Sequence, residues 1–221
     1  SKLEFDWDIL HPKLVNYCSK KNIKFLTSAF DEIALDQIKK LKLGLYKIPS
    51  GEITNLTYLE HLSRFKGEIL LSTGMSNLKE IERALKVLTR FRNNKITLLH
   101  CNSAYPTPFI DANLKAIVTL KKEFGYQVGY SDHTMGIEAA VAAVAIGATV
   151  IEKHFTIRKD MKGPDHKASL EPKELKKLVE AIRNIEIGMG NGFKKVTKSE
   201  KDNRDIVRKS IIAKTKILKG D

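Results

Sequence analysis

The sequence predicts an α/β protein built as a TIM (β/α)8 barrel that lacks its first two strand–helix units. Two observations predict this fold. Short continuous apolar runs, typical of strands buried on both faces of a parallel sheet, alternate with helical patterns. Each run ends in a hydroxyl or imidazole side chain, and the strand ends of a parallel barrel converge on one cavity. The runs are 24–28, 45–50, 69–72, 97–103, 128–133 and 150–154, six where a closed barrel needs eight.

Helical patterns occupy the intervals between these runs. Asp31 is placed to cap a helix that reaches about Leu41, and residues 76–80 open the next helix. The glycine-rich segment 188–192 follows a helix rather than a strand, so it predicts a helix end and a loop rather than a dinucleotide-binding turn. Further helices are predicted at 12–21, 113–124, 136–146 and 172–187.

The composition indicates a globular protein in a reducing compartment. The 221 residues contain two cysteines, too few for a disulfide framework, and we therefore expect a cytoplasmic protein. The most apolar stretch, 137–151, contains Glu138 and Gly147 and is too short to span a bilayer. No signal peptide is visible, and no membrane partner is expected.

The net charge of +13 raises the alternative of a basic nucleic-acid-binding barrel. The lysines are spread along helices, such as 115–122 and 173–177, and aromatic residues do not interleave with them. A solvated lysine-rich surface is therefore favoured, and no nucleic acid is expected as a partner. A positive field would also suit a small anionic substrate.

The chain divides by composition into three parts. Residues 1–192 carry the partial barrel, 193–209 are charged and linker-like, and 210–221 predict the first strand of a truncated C-terminal domain. The absent strands would leave unpaired sheet edges. We therefore expect the 221-residue chain alone to be inactive or poorly folded unless other chains complete it.

Two histidines at adjacent strand ends predict a divalent metal site. Strand alternation places Ser131 on the same face as His133, and Glu152 on the same face as His154. Two imidazoles at matching heights could hold a cation, with Asp132, Glu152 and Asp165 as nearby carboxylates. The alternative is that one or both histidines are hydrogen-bonded core residues.

A set of hydroxyls at successive strand ends predicts an anion site. Its members are Ser28, Ser50, Ser72, Ser103 and Ser131, with Lys47 as the cation. Alternation sets Lys47 on the face opposite Ser50 unless the chain turns at Pro49.

Three more residues follow the strand ends. Glu52 is a candidate general acid or base, or else a carboxylate at a helix N-terminus. Tyr105 and Asp165 lie in loops where substrate contacts are usual, although Tyr105 could equally pack.

Six strings, taken together and in this order, resemble the sialic acid synthase family of phosphoenolpyruvate-dependent N-acetylneuraminate and legionaminate synthases. They are KIPSGE (47–52), LSTGM (71–75), HCNSAYPTP (100–108), GYSDHT (129–134), IEKHFT (151–156) and GPD (163–165). The resemblance runs from about Phe25 to the last residue. The PSGE form favours neuraminate or legionaminate synthases over pseudaminate synthases.

The resemblance implies a TIM barrel joined to an antifreeze-protein-like domain in a domain-swapped homodimer. The implied reaction condenses phosphoenolpyruvate with an N-acetylmannosamine-type sugar and releases phosphate. His133 and His154 match the family's Mn²⁺ or Mg²⁺ ligands, which act as catalytic residues together with Glu52. The phosphoenolpyruvate contacts would be Lys47, Ser28, Ser50, Ser72, Ser103 and Ser131, and the sugar contacts Glu52, Tyr105 and Asp165.

Three alternatives stay open at this point. One is a legionaminate synthase acting on a 2,4-diacetamido-trideoxy-mannose. The second is a metal-dependent aldolase that uses pyruvate, which would need no phosphate. The third is the basic nucleic-acid-binding barrel.

Overall fold

The computed structural model describes residues 7–91 and 95–220. The described residues up to Gly188 form a parallel sheet flanked by helices. The strands are β1 (Leu45–Ile48), β2 (Glu68–Ser72), β3 (Lys95–Cys101), β4 (Gln127–Asp132) and β5 (Ile151–Lys153). The helices are α1 (Trp7–Lys20), α2 (Glu32–Lys40), α3 (Leu56–Ser63), α4 (Leu78–Leu88), α5 (Ala116–Phe124), α6 (Glu138–Ala145), α7 (Pro172–Gly188) and α8 (Lys201–Val207).

The sheet order is β1-β2-β3-β4-β5, and every neighbouring pair is parallel. The predicted parallel α/β fold is therefore confirmed, as an open half-barrel. The run at 24–28 is the exception among the six predicted strands. It contributes one bridge, from Ser28 to Lys47, because it lies beside the end of β1 without a continuous hydrogen-bond ladder.

All six predicted helices are present, and two begin with the side-chain caps expected from the sequence. The Asp31 side chain accepts a hydrogen bond of 2.7 Å from the Ala34 backbone N–H. At α4, the Asn77 side chain and Glu80 form a capping box. Helix α1 begins at Trp7, before the predicted start at Pro12, so this proline lies inside the helix.

Helix α3 was not predicted. The Asn55 side chain accepts a hydrogen bond from the Tyr58 N–H at the start of α3, which buries Tyr58, Leu59 and Leu62. The Tyr58 hydroxyl donates a 3.0 Å hydrogen bond to the Ala29 carbonyl oxygen. This bond fixes the backbone that follows Ser28 against the helix layer.

The main core lies between the outer face of the sheet and the helices. Ile69, Leu71, Leu98 and Val128 are buried on the strands. Helices contribute the buried residues Leu35, Ile38, Leu59, Leu62, Ile81, Leu85, Leu88, Ile117 and Leu120. At about 25 cal/mol per Å² of apolar surface, this burial is the main force holding the layers together.

The chain forms two compact units, the first ending at Gly188 and the second beginning at Met189. The second unit contains α8, within the predicted linker 193–209. The described residues 210–220 form no strand, contrary to the prediction, because a strand needs a neighbour that pairs its backbone groups. No described helix combines the length and the apolar character needed to cross a membrane.

Candidate functional site

The carboxyl ends of the strands surround a pocket of about 450 Å³. Eight of the eleven predicted site residues line it: Lys47, Ser50, Ser72, Ser103, Tyr105, Ser131, His133 and His154. Glu152, Met75, Cys101, Phe30, Pro49 and Gly51 complete the lining. The strand ends therefore bring together residues that are far apart in the sequence.

Three aromatic rings form one side of this strand-end pocket. The ring centroids of His133 and His154 are 5.3 Å apart. The Tyr105 ring lies 4.2 Å from the His133 ring and 5.5 Å from the His154 ring. Tyr105 thus packs on both imidazoles and still lines the pocket, so its two predicted alternatives are compatible.

The His133 imidazole is held in one orientation by its neighbours. Its Nδ1 lies 2.6 Å from the Asn102 carbonyl oxygen, which can only accept, so Nδ1 carries the proton. Burial lowers the pKa of His133, and the neutral ring then has a lone pair on Nε2. An imidazole with one nitrogen anchored and the other unprotonated is the form that binds metals.

Glu152 joins the two edges of the sheet. It lies beside Ser131 in the β4–β5 register, and its Oε1 accepts a 2.7 Å hydrogen bond from the Ser131 hydroxyl. The same oxygen lies 3.2 Å from the Lys47 ammonium. Because Lys47 is on β1 and Glu152 on β5, this contact requires the sheet to curl until its edge strands face each other.

Gly74 gives the hydroxyls room to converge. Its N–H donates a 3.0 Å hydrogen bond to the Ser50 hydroxyl oxygen. A β-carbon at this position would lie 2.5 Å from the Ser103 Oγ and 2.7 Å from the Ser50 Oγ, closer than packing allows. The sequence contained the LSTGM string, but nothing in it showed that the glycine separates two serines.

Lys47 and Ser50 both reach the pocket because the chain turns after β1. Residues Ser50–Glu52 form a short 3₁₀ turn that follows Pro49. The turn ends the strict alternation of side chains in the strand. The twist that the sequence required at Pro49 is therefore present.

The other three predicted site residues lie outside the pocket lining. The Glu52 carboxylate accepts a 2.8 Å hydrogen bond from the Asn55 side chain. Ser28 forms the backbone bridge to Lys47. Asp165 follows β5 in a loop, with its Oδ2 4.0 Å from the His154 Nδ1.

A second polar cluster occupies the opposite face of β4 and β5. The Lys153 ammonium lies 2.8 Å from Asp132 Oδ2, and the two side chains are 3% and 0% exposed. Asp132 Oδ1 also accepts 2.8 Å hydrogen bonds from the N–H and the hydroxyl of Thr134. The sequence placed Asp132 among the carboxylates near the metal, but its oxygens bond Lys153 and Thr134 in a buried network on the other face of the sheet.

Two pocket imidazoles are the nitrogen donors available to a metal at the strand ends. Within residues 7–91 and 95–220, no group of three His, Cys, Asp or Glu side chains is arranged to hold a metal. His133 and His154 could provide two nitrogen ligands. The remaining positions would be filled by water or substrate oxygens, as is usual for cations that bind during a reaction.

A larger cavity of about 820 Å³ lies beside α4 and α5 and contains none of the predicted site residues. Its polar groups are engaged locally. The His100 Nε2 lies 2.9 Å from the Ala112 carbonyl oxygen, and the Thr73 hydroxyl donates to the Leu99 carbonyl. The strand-end pocket is therefore the better candidate site.

Comparison with known proteins identifies relatives over the whole chain. The NeuB family model matches residues 1–194. The N,N'-diacetyllegionaminic acid synthase of Campylobacter jejuni is 54% identical over 100% of this chain and 66% of its own length. The enzyme of the same name from Legionella pneumophila is 44% identical over 95% of this chain and 60% of its own length. The chain thus spans less than two thirds of these relatives.

A solved structure shows the same fold. The N-acetylneuraminic acid (sialic acid) synthetase of Leptospira borgpetersenii, crystallised with citrate, superposes with a TM-score of 0.83 at 38% identity. The match covers 94% of this chain and 73% of that one.

Proposed function

This chain belongs to the NeuB family, and on that premise we propose that it is the barrel of a nonulosonic acid synthase. The reaction would condense phosphoenolpyruvate with a 2-acetamido sugar and release inorganic phosphate. One observation carries the proposal: an ammonium group, several hydroxyls and two imidazoles share a single pocket at the strand ends. Anion-binding and aldehyde-activating groups thus lie side by side.

We favour a 2,4-diacetamido-trideoxy-mannose as the sugar. Two relatives named N,N'-diacetyllegionaminic acid synthase are 54% and 44% identical to this chain, whereas the N-acetylneuraminic acid synthetase is 38% identical. N-acetylmannosamine is the second candidate.

Lys47 and the hydroxyls would hold the phosphate and carboxylate of phosphoenolpyruvate. The Lys47 side chain is only 10% exposed, so its charge acts with less screening by water than a surface lysine would. Ser50, Ser72 and Ser103 line the pocket wall and would donate hydrogen bonds to the substrate. Such fixed donors would orient the substrate and stabilise charge that develops during the reaction.

His133 and His154 would hold a divalent cation, Mn²⁺ or Mg²⁺. A bound cation would act as a Lewis acid on the aldehyde oxygen of the open-chain sugar. Tyr105, packed on both rings, would fix their orientation. Asp165, beside His154, would contact the sugar from the loop after β5.

The proposed reaction forms a carbon–carbon bond at C3 of phosphoenolpyruvate and a carbon–oxygen bond from water at C2, and it breaks the C2–oxygen bond to phosphate. C3 of phosphoenolpyruvate attacks the aldehyde carbon, whose oxygen takes up a proton. Water adds at C2 and loses one proton, and the tetrahedral intermediate then expels phosphate, which takes the remaining hydroxyl proton as the C2 carbonyl forms. Glu52 would accept the first proton that the water loses, after its carboxylate leaves Asn55 and turns toward the pocket.

We also propose that the complete enzyme works as a domain-swapped homodimer in the cytoplasm. The relatives carry at least a third of their length beyond the match, room for a further domain. Light scattering of the complete protein would test the dimer.

Phosphate release tests the proposal directly. The 221-residue chain, and a fusion of it to the segments that the Campylobacter relative carries beyond the match, would be mixed with phosphoenolpyruvate, Mn²⁺ and each sugar. We expect the fusion to release phosphate fastest with the 2,4-diacetamido sugar, and the chain alone to be inactive. Product formation from pyruvate in place of phosphoenolpyruvate would indicate the aldolase. A strongly salt-dependent affinity for RNA or DNA would indicate the nucleic-acid-binding alternative. No release with any acetamido sugar would contradict the proposal.

Metal titration tests the two imidazoles. We expect His133→Ala and His154→Ala each to abolish the metal dependence of phosphate release in the fusion. His61→Ala, at a half-buried histidine that pairs with Asp36 and lies outside the strand-end pocket, is the matched control and should give the metal titration curve of the parent. Unchanged titration curves in both pocket variants would remove the ligand assignment.

A further inference from the structure

Glu152 carries the single carboxylate among the described residues that line the strand-end pocket. The sequence placed Glu152 among the carboxylates near the predicted metal site, and neither the proposed anion contacts nor the proposed metal ligands include it. Its side chain is 37% exposed, so it borders the space in which a substrate would lie.

The charge of Lys47 is compensated in the pocket by this carboxylate. The ammonium is 3.2 Å from the Glu152 Oε1 and is itself largely shielded from water. An anion that enters the pocket must therefore approach Lys47 while a carboxylate already occupies one side of it. Two anions that share one cation repel each other, so the two contacts compete.

The Ser131 hydroxyl is committed to the same carboxylate. A hydroxyl has one hydrogen, and Ser131 donates it to Glu152 at 2.7 Å. Ser131 can then offer only lone pairs to a ligand, unlike the donor role predicted for it. Its hydrogen bond fixes the side chain of Glu152 beside Lys47.

We propose that Glu152 is a positioning residue that serves as an internal counter-anion for Lys47. It orients the ammonium in the empty pocket and gives up part of that contact when the substrate phosphate or carboxylate arrives. This inference deepens the proposed function and rests on it for the identity of the anion. Glu152 thereby weakens ground-state binding of the anion while it keeps Lys47 in the orientation needed for turnover.

Anion binding without turnover tests the proposal first. Calorimetric titration of the chain with phosphoenolpyruvate, and separately with inorganic phosphate, would be compared for the parent and Glu152→Gln. The amide keeps the size of the side chain and can still accept from Ser131, but it leaves Lys47 uncompensated. We expect Kd for both anions to fall about twofold to fivefold, the range for removing a partly exposed competing charge.

Two control variants separate this effect from a general change in charge or fold. Glu68→Gln makes the same substitution in an exposed pair with Lys95 at the other end of the sheet, and its Kd should equal that of the parent. When Glu152→Gln is combined with Lys47→Met, the gain in anion affinity should vanish, because the cation for which Glu152 and the anion compete is gone. Equal or weaker anion binding by Glu152→Gln, no anion binding in either protein, or a gain that persists without Lys47, would overturn the proposal.

Kinetics of the fusion protein complete the test. We expect Glu152→Gln to lower KM for phosphoenolpyruvate and also to lower kcat, a split that a merely structural role would not produce. If Glu152→Gln binds phosphoenolpyruvate more tightly but no sugar gives phosphate release, the counter-anion role stands and the proposed synthase reaction fails. If turnover occurs and Glu152→Gln leaves KM for phosphoenolpyruvate unchanged, the proposed synthase reaction stands and the counter-anion role fails.

Discussion

The two faces of β4 and β5 carry two ion pairs that differ in what surrounds them. On the pocket face, Glu152 contacts Lys47 and Ser131 and remains 37% exposed. On the opposite face, the next residue, Lys153, pairs with Asp132 in a site closed to solvent. Consecutive residues of one strand thus contribute to two clusters, because side chains alternate between the faces.

The difference shows how to tell a structural cluster from a functional one. In the outer cluster, Asp132 and Lys153 are satisfied by each other and by Thr134, so no capacity is left for a ligand. In the pocket, Lys47 and Glu152 are satisfied only in part and face an open cavity. We therefore expect changes in the outer pair to affect stability, and changes in the pocket pair to affect binding.

The largest expected effect is the loss of the outer pair. Lys153→Met would leave the Asp132 carboxylate buried without a cation, and we expect it to lower the free energy of unfolding by about 3–5 kcal/mol. Lys47→Met is the matched variant on the pocket face, and its loss should be below about 1 kcal/mol, because Glu152 is already partly exposed to water and keeps its hydrogen bond from Ser131. Urea unfolding of both variants measures the difference. Equal losses would break the distinction between the faces.

A glycine substitution sharpens the comparison from the pocket side. Gly74→Ala would place a β-carbon against the hydroxyls of Ser50 and Ser103, and we expect Kd for phosphoenolpyruvate to rise about tenfold or more. Gly188→Ala, at the end of α7 with nothing within 4 Å of the added carbon, is the control. Calorimetric titration measures the effect. Unchanged affinity in Gly74→Ala would show that the hydroxyls do not contact the anion.

Much of this arrangement could be predicted from the sequence. Apolar runs that end in polar residues gave the strands and most of the pocket lining, because parallel strands bring their ends together. The shared faces of Ser131 with His133 and of Glu152 with His154 followed from alternation. Helix α3 was not predicted, although the sequence contains its signals: Asn55 is a good cap, and Leu56, Leu59 and Leu62 share one face.

Other features of the site needed coordinates. Alternation placed Glu152 on the pocket face, but not beside Lys47, since that contact depends on how far the sheet curls. Glu52 follows the pocket residues in sequence, yet its carboxylate bonds Asn55 instead of lining the pocket. The last strand was predicted at 210–221 from an apolar run alone, without a partner to pair with it.

The pH dependence of stability gives a prediction of intermediate size for the helix-covered face. Burial lowers the pKa of His100, whose ring stacks on Tyr130 on the helix-covered side of β3. The His100 imidazole then binds a proton more tightly in the unfolded chain than in the folded one. The stability that the neutral ring contributes is therefore fully present above the unfolded pKa of about 6.5, and it is lost as the pH falls toward the lowered folded pKa. We expect a loss of at most about 1.4 kcal/mol by pH 5.5.

His100→Gln keeps a hydrogen-bond donor for the Ala112 carbonyl and removes the titrating ring. Urea unfolding from pH 7.5 to 5.5 should show a shallower loss of stability in this variant, with anion binding at pH 7.5 unchanged. The same slope in both proteins would mean that His100 does not titrate with unfolding, and altered anion binding would connect the outer face to the pocket.

The smallest expected effect lies at the opposite end of the sheet, where a third ion pair is fully open to water. Lys95 bonds Glu68 at 2.9 Å, and this hydrogen bond lowers the pKa of Glu68. Any stability from the pair is present above the unfolded pKa of the carboxyl and is lost as pH falls through its folded value. Water and salt screen such exposed charges, so we expect Glu68→Gln to leave the Tm at pH 7 unchanged within error. A clear loss of Tm would mean that exposure is not what separates the three pairs.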